Sequence, residues 1–170
     1  MQSQSVNGQV IVLEGADFSG KSTLANQLMA KYRNHVYIHC AVTDDIKKLH
    51  ETAFLNAMEL ANHGQFTVII DRLHYSELVY GTIFRNGPCY DVKKFDEWIS
   101  DPNLHPNVRK ILCLPPKVVV LNGFKKRSAD GGEMFDTVEK VYDMYAQNPL
   151  GWNIYDWTKG EELDLERFKP

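Results

Sequence analysis

The chain has 170 residues, of which 44% are hydrophobic and 24% charged, and its formal net charge is −3. This balance is typical of one globular domain, and it argues against general disorder and against a duplex nucleic-acid binder, which needs a basic surface. Three cysteines without CxxC spacing favour neither a disulfide framework nor a zinc site. No stretch has the pattern of a signal peptide or a membrane span. We therefore expect a single cytoplasmic domain over residues 1–170, without a membrane partner.

The first part of the chain alternates strand and helix patterns. An apolar, β-branched run at 9–13 predicts a buried strand, and apolar residues at helical spacing predict a helix that ends at Lys31. Alternation at 35–40 predicts a second strand. A long helix is expected over 43–64, with a threonine as its N-cap and a glycine as its C-cap. The apolar run at 66–70 predicts a third strand.

The middle of the chain is less regular. Helices are expected over 76–85 and 92–99, each followed by turn residues. The stretch 102–116 has no clear pattern, although 108–114 fits either a short helix or a strand. The apolar, β-branched run at 117–121 predicts the fourth core strand.

The last part begins with a polar run at 125–132, which predicts a mobile loop. An amphipathic helix is expected over 135–145 and a last strand, at a sheet edge, over 152–157. The charged tail at 160–170 is expected to be only partly ordered. Strands separated by helices predict a parallel sheet of about five strands with helices on both faces.

A glycine-rich motif follows the first predicted strand. The residues from 15 to 22 read G-x-x-x-x-G-K-S, the phosphate-binding P-loop. Gly15 and Gly20 let the backbone turn its amides toward one point, Lys21 can reach terminal phosphates, and the Ser22 hydroxyl can bind Mg²⁺. An ordinary glycine turn is the alternative, but the flanking strand and helix favour a three-layer α/β P-loop NTPase fold. The other loop residues predicted to bind the nucleotide are Asp17, Ser19 and Thr23.

A second polar pair, Asp71 and Arg72, ends the third predicted strand. A carboxylate at this place holds Mg²⁺ directly or through water in P-loop enzymes, and the alternative is an N-terminal cap for the next helix. The arginine offers a planar fork for a phosphate, unless it forms a surface salt bridge. Ligands of such sheets bind beyond the carboxyl ends of the strands. Both motifs are therefore predicted to meet at one site.

A cluster of three cations, Lys125, Lys126 and Arg127, precedes two glycines. We predict a lid loop at about 123–133 that closes over the nucleotide and brings Arg127 to the transferring phosphoryl group. A solvated cationic face is the alternative.

These motifs together resemble the thymidylate kinase family of nucleoside monophosphate kinases. The similarity covers the phosphate loop within 13–23, the D-R-x-x-x-S-x-x-x-Y stretch over 71–80, and the basic loop with the helix behind it at 138–145. The chain lacks the Arg-rich segment that commonly follows the family's second strand, and Gly81 stands where a glutamine is common. The resemblance implies the use of ATP and Mg²⁺ and a possible homodimer.

The resemblance also implies roles for single residues. Lys21 and Ser22 would hold the donor phosphates and Mg²⁺, and Asp17 would lie near the acceptor sugar. Asp71 and Arg72 would lie at the acceptor phosphate. A lid cation, first among them Arg127, would stabilise the charge in flight. Ser76 and Tyr80 share one helical face, and the tyrosine would pack against the deoxyribose, with a core position as its alternative.

The sequence therefore predicts a P-loop kinase that transfers the γ-phosphoryl group of ATP to a deoxynucleoside monophosphate, with dTMP as the first candidate. Three alternatives stay open at this point. A deoxynucleoside kinase would need a base near the sugar hydroxyl, for which Asp71 could serve. A kinase acting on nucleic-acid ends or modified bases is disfavoured by the lack of a broad basic surface. A nucleotide-binding regulator would keep the P-loop without efficient catalysis.

Overall fold

A computed structural model of the chain describes residues 8–127, 135–160 and 162–168. Its centre is a parallel sheet of five strands in the order β2-β3-β1-β4-β5. The strands are β1 (Gln9–Glu14), β2 (His35–His39), β3 (Thr67–Asp71), β4 (Val108–Cys113) and β5 (Asn153–Tyr155). The helices are α1 (Lys21–Lys31), α2 (Ile46–Gly64), α3 (His74–Arg85), α4 (Val92–Ile99), α5 (Lys117–Arg127) and α6 (Phe135–Ala146).

The two faces of the sheet are buried by different elements, because successive strand residues point to opposite sides. On one face, Val10 and Val12 belong to a large core cluster with residues of α2 to α6. On the other face, Ile11 and Leu13 pack with residues of α1 and with a C-terminal 3-10 turn, Leu165–Phe168. The predicted three-layer α/β architecture with a five-stranded parallel sheet is confirmed. Within the described ranges, no helix has the length and apolarity that crossing a membrane requires.

The prediction of a fourth core strand at 117–121 is wrong. That run begins α5, and the fourth strand in chain order is β4, at 108–113. Pro115 and Pro116 separate the two elements, and prolines suit the start of a helix while ending a strand pairing. Val118 is 61% exposed, whereas Val108 is fully buried beside β1. Burial on both faces, rather than β-branched composition, therefore decides which run joins the sheet.

Two helix boundaries also differ from the expectation. The second helix begins after Asp45, whose side chain accepts a hydrogen bond from the Lys48 amide, so Asp45 and not Thr43 is the N-cap. The left-handed residue at its end is Gln65, with φ of 55°, and Gly64 is still helical. Each difference is a shift of one to three positions, which leaves the order of the elements unchanged.

Candidate active site

The P-loop and the Asp71–Arg72 pair lie side by side at the carboxyl end of the sheet. The register of β1 on β3 places Leu13 opposite Asp71, and the Arg72 amide donates to the Leu13 carbonyl at 3.0 Å. The loops that leave these two central strands therefore begin within one hydrogen bond of each other, as expected for a ligand site in an open parallel sheet.

Two glycines allow the tight path of the P-loop. Gly15 has φ of 140°, and a Cβ at this position would lie 2.4 Å from the Cys113 carbonyl oxygen. Gly20 has φ of 92°, and a Cβ there would lie 2.6 Å from Nε1 of Trp157, which donates to the Ser19 carbonyl at 3.1 Å. Both positions combine positive φ with close neighbours, so only glycine fits them.

The Lys21 side chain is buried inside its own loop. Its Nζ donates to the carbonyl oxygens of Gly15 at 2.7 Å and Ala16 at 2.9 Å. Burial, followed by the charge of Arg72, lowers the pKa of Lys21, while the carboxylates of Asp17 and Asp71 act in the opposite direction. An incoming anionic phosphate would favour the charged ammonium, so the lysine is placed to gain from phosphate binding.

A cavity of about 750 Å³, the P-loop cavity, opens above this loop. Ser22 and Thr23 contribute exposed hydroxyl side chains from the first turn of α1, where the helix dipole favours negative charge. The cavity is also lined by Asp17, Lys21, Asp71, Arg72, Lys126, Arg127 and Trp157. Of the predicted nucleotide-binding residues, Gly15 and Ser19 are absent from the described lining, and they pack against each other on the inner side of the loop.

Asp71 is buried at the edge of the P-loop cavity, with its side chain 5% exposed. One carboxylate oxygen, Oδ2, accepts a hydrogen bond from the Tyr37 hydroxyl at 2.7 Å. Its other oxygen, Oδ1, is buried without a hydrogen-bond partner in the part of the chain that the structure describes. An unpaired buried carboxylate oxygen in the same cavity lining as the exposed Ser22 fits Mg²⁺, which takes one or two protein oxygens and completes its shell with phosphates and water. Residues 8–127, 135–160 and 162–168 contain no group of three or more His, Cys, Asp or Glu side chains that could hold a metal ion.

Arg72 lies at the junction of the site. It adopts a left-handed backbone conformation with φ of 69°, and its guanidinium forms an ion pair with Asp17. The same group donates to Ser76 Oγ at 3.4 Å and lies 5.0 Å from the ring centroid of Tyr80. The sequence predicted Asp17, Arg72, Ser76 and Tyr80 as substrate-binding residues. The structure places the other three around the Arg72 guanidinium.

A second cavity, the α3 cavity, has a volume of about 510 Å³ and runs beside the third helix. It shares Asp17, His39 and Arg72 with the P-loop cavity, so the two spaces adjoin at these side chains. The α3 cavity is also lined by His50, Ser76, Glu77, Tyr80, Phe84 and Arg85. Burial lowers the pKa of His50 to about 4, so this imidazole is neutral near pH 7.

The far end of the α3 cavity carries an aromatic surface and a second arginine. Phe84 is 57% exposed and stacks on Tyr80 with a centroid distance of 6.1 Å and an interplanar angle of 10°. Arg85 forms an ion pair with the buried Glu77, whose other oxygen accepts from the Cys89 amide at 2.8 Å. The guanidinium is therefore held by a fixed carboxylate while it lines the cavity.

Glu14, for which the sequence predicted no role, organises the turn after β3. The fully buried carboxylate accepts from the amides of Leu73 at 2.7 Å and Ser76 at 3.0 Å, and from the hydroxyls of Ser76 at 2.6 Å and Tyr145 at 3.0 Å. It thus caps the N-terminus of α3 from a neighbouring strand. The sequence signal for this role was a single acid at the end of an apolar strand. Its partners could not be identified from the sequence, because they lie far along the chain.

The basic cluster is the last turn of α5, so the prediction of a loop beginning at 125 is wrong for its first three residues. Lys126 and Arg127 line the P-loop cavity, and the Arg127 guanidinium lies 5.8 Å from the Phe18 ring centroid. Lys125 instead lies over Phe135, at 5.2 Å. Of the predicted lid loop at about 123–133, residues 123–127 belong to α5, and residues 128–133 lie outside the described residues.

For the kinase activity that the sequence predicts, Arg127→Ala is expected to lower kcat by about tenfold while changing the KM of the acceptor less than threefold. The reason is that a cation at the edge of the P-loop cavity gains most when charge develops on the phosphoryl group. Steady-state kinetics with ATP and a nucleoside monophosphate measure both constants. Lys125→Ala is the matched control, since this residue points toward Phe135. A larger loss in the control, or a rise in KM alone, would contradict the prediction.

The fold is similar to solved structures of other proteins. Neither a protein-family model nor a curated protein matches this chain. The YorR protein from Bacillus subtilis, solved in complex with phosphorylated GDP, aligns with a TM-score of 0.66 at 23% identity, over 90% of this chain and 87% of YorR. Thymidylate kinase from Candida albicans aligns with a TM-score of 0.48 at 18% identity, over 89% and 84% of the two chains. The chain has a three-layer α/β P-loop fold.

Proposed function

We propose that this protein is a nucleotide kinase that transfers the γ-phosphoryl group of ATP to a nucleoside monophosphate. The observation that carries the proposal is the junction of two cavities at Asp17 and Arg72, one built on a P-loop and the other extending along α3. Phosphoryl transfer asks a protein mainly to align donor and acceptor and to stabilise charge. Two adjoining spaces with a cation between them meet that demand.

The donor half of the proposal assigns ATP to the P-loop cavity. Loop amides and Lys21 would bind the β- and γ-phosphates, and Ser22 with Asp71 would hold Mg²⁺. When bound, the metal neutralises charge on the phosphate oxygens. Arg127 at the cavity edge would add a further positive charge as the phosphoryl group moves.

The acceptor half assigns a monophosphate, rather than a nucleoside, to the α3 cavity. Arg72 contributes a guanidinium at the inner end of this cavity, and a planar guanidinium binds a phosphate better than it binds a hydroxyl. Asp71, the candidate base of a nucleoside kinase, belongs to the lining of the P-loop cavity but not to the described lining of the α3 cavity. This placement favours its role toward the metal.

The base of the acceptor would lie near Phe84 and Arg85. The 12-residue α3 spans about 18 Å, enough for a nucleotide to extend from Arg72 at its start to Arg85 at its end. An exposed ring offers a stacking surface, and a guanidinium donates to carbonyl oxygens such as O4 of thymine or O6 of guanine. We therefore propose bases with a carbonyl at this edge, with dTMP as the first candidate, and dGMP in the same class as the guanine nucleotide of the YorR complex.

The test is a screen of ATP consumption with Mg²⁺ across the deoxynucleosides and their monophosphates, with chromatographic identification of products. We expect turnover with monophosphates alone, and kcat/KM about tenfold higher for dTMP, dUMP and dGMP than for dCMP and dAMP. Arg85→Ala should remove this difference, whereas Arg33→Ala, an exposed change before β2, should preserve it. Turnover of nucleosides would indicate a nucleoside kinase. ATP binding without turnover of any acceptor would indicate a regulator.

Tyr80→Ala is expected to reduce the preference for deoxyribonucleotides by about tenfold. Its ring lines the α3 cavity one helical turn from Ser76, where it would stand against C2′ of the acceptor sugar and exclude a hydroxyl. The measurement is the ratio of kcat/KM for a matched deoxy and ribo pair in both proteins. An unchanged ratio in a folded variant would assign Tyr80 to the core alone.

A further inference from the structure

The second strand brings two side chains to Asp71. Parallel pairing of β2 with β3 places His39 opposite Asp71, and Tyr37, two residues earlier, points to the same face. The Tyr37 hydroxyl donates to Asp71 Oδ2 at 2.7 Å, and Nδ1 of His39 lies 3.6 Å from the same oxygen. Both side chains of β2 therefore lie near the same carboxylate oxygen of Asp71, Oδ2.

This contact makes the two carboxylate oxygens of Asp71 different. The hydrogen bond fixes Oδ2, while Oδ1 is left without a partner among the described residues. Tyr37 is 40% exposed and is absent from the described linings of both the P-loop cavity and the α3 cavity. Its hydroxyl is thus placed to act on a nucleotide only through Asp71.

We propose that Tyr37 is a positioning residue whose hydroxyl fixes the orientation of Asp71 and leaves Oδ1 as the oxygen available to Mg²⁺. This inference rests on the proposed function, since it assumes that a magnesium nucleotide occupies the P-loop cavity. Groups that orient a metal-binding side chain change metal affinity by about 10- to 100-fold when they are removed. Loss of this hydroxyl should therefore weaken the metal-bound complex without changing the nucleotide contacts of the loop itself.

The experiment measures the affinity of a non-hydrolysable ATP analogue by calorimetry, with Mg²⁺ and with a chelator. The dissociation constant with the chelator, divided by that with Mg²⁺, gives a ratio that reports the contribution of the metal. Tyr37→Phe should lower this ratio about tenfold and leave the metal-free affinity within about twofold of the wild-type value. Tyr32→Phe is the matched control, because it removes a hydroxyl from a partly buried tyrosine that packs with the apolar cluster around α1.

A double-mutant cycle separates positioning from a general effect on the fold. Asp71→Asn should reduce the metal ratio strongly, and adding Tyr37→Phe should reduce it no further, because both changes act through one carboxylate. An unchanged ratio in Tyr37→Phe would overturn the inference. So would additive losses in the double variant, or an equal loss in Tyr32→Phe. Failure of the proposed function is a separate result, in which wild-type protein with Mg²⁺ and ATP phosphorylates none of the acceptors.

Discussion

Lys21→Ala is expected to lower kcat for phosphoryl transfer on the order of a thousandfold while the protein still folds. The ammonium lies 2.7 Å from the Gly15 carbonyl oxygen, and the residue lines the P-loop cavity in which donor phosphates would bind. Removing it would leave the charge that develops on the donor phosphates without its main counterpart. Kinetics at saturating ATP and acceptor measure the loss.

Because Lys21 is buried, an alanine also leaves space inside the loop. Lys21→Met separates the two effects, since methionine fills a similar volume without charge. We expect the methionine variant to have a Tm close to that of the wild-type protein and to be as inactive as the alanine variant. Lys31→Ala, at the exposed end of the same helix, is the control for the loss of any lysine in α1. Near-normal turnover by Lys21→Met would remove the P-loop from the proposed mechanism.

Glu14→Ala is expected to lower the free energy of unfolding by about 3 kcal/mol. The carboxylate accepts four hydrogen bonds in a buried site, from two amides at the start of α3 and from the hydroxyls of Ser76 and Tyr145. Truncation would leave these donors buried without their acceptor. Because the same turn carries Arg72, we also expect kcat/KM for the acceptor to fall.

Urea denaturation followed by circular dichroism gives the free energy of unfolding. Glu14→Gln should lose less than the alanine variant, because the amide oxygen still accepts while the charge is gone. Glu59→Ala, which removes an exposed carboxylate from α2, should change stability by less than about 0.5 kcal/mol. A loss in Glu14→Ala no larger than that of this control would show that the network contributes nothing to the fold.

The sequence was most informative where structure depends on neighbours along the chain. The P-loop is defined by spacing within eight residues, and its flanking strand and helix follow from local apolar patterns. Its place at the carboxyl end of the sheet could therefore be predicted. The position of Asp71 and Arg72 at the end of β3 could be predicted for the same reason, since they directly follow an apolar run, and their roles toward a nucleotide stay predictions. Formation of a homodimer and a cytoplasmic location stay predictions.

The errors and omissions concern contacts between distant parts of the chain. Glu14 meets Ser76 across 62 positions, and Tyr37 meets Asp71 across 34, so no local pattern connects them. The exchange of strand and helix around Pro115 has a similar origin. The β-branched run at 117–121 was expected in the sheet. The preceding segment, β4, pairs with β1 instead, so tertiary packing overrode the local preference of that run.

The indole of Trp157, which rests on Gly20 and donates to the Ser19 carbonyl, gives the protein an intrinsic optical probe. The chain has three tryptophans, and the other two, Trp98 and Trp152, pack in the large core cluster on the far side of the sheet from α1. Their emission should stay constant when a ligand enters the P-loop cavity, whereas the half-exposed ring of Trp157 lines that cavity and would change its solvent contact. Fluorescence titration of the unlabelled protein would therefore follow occupancy of the phosphate loop directly.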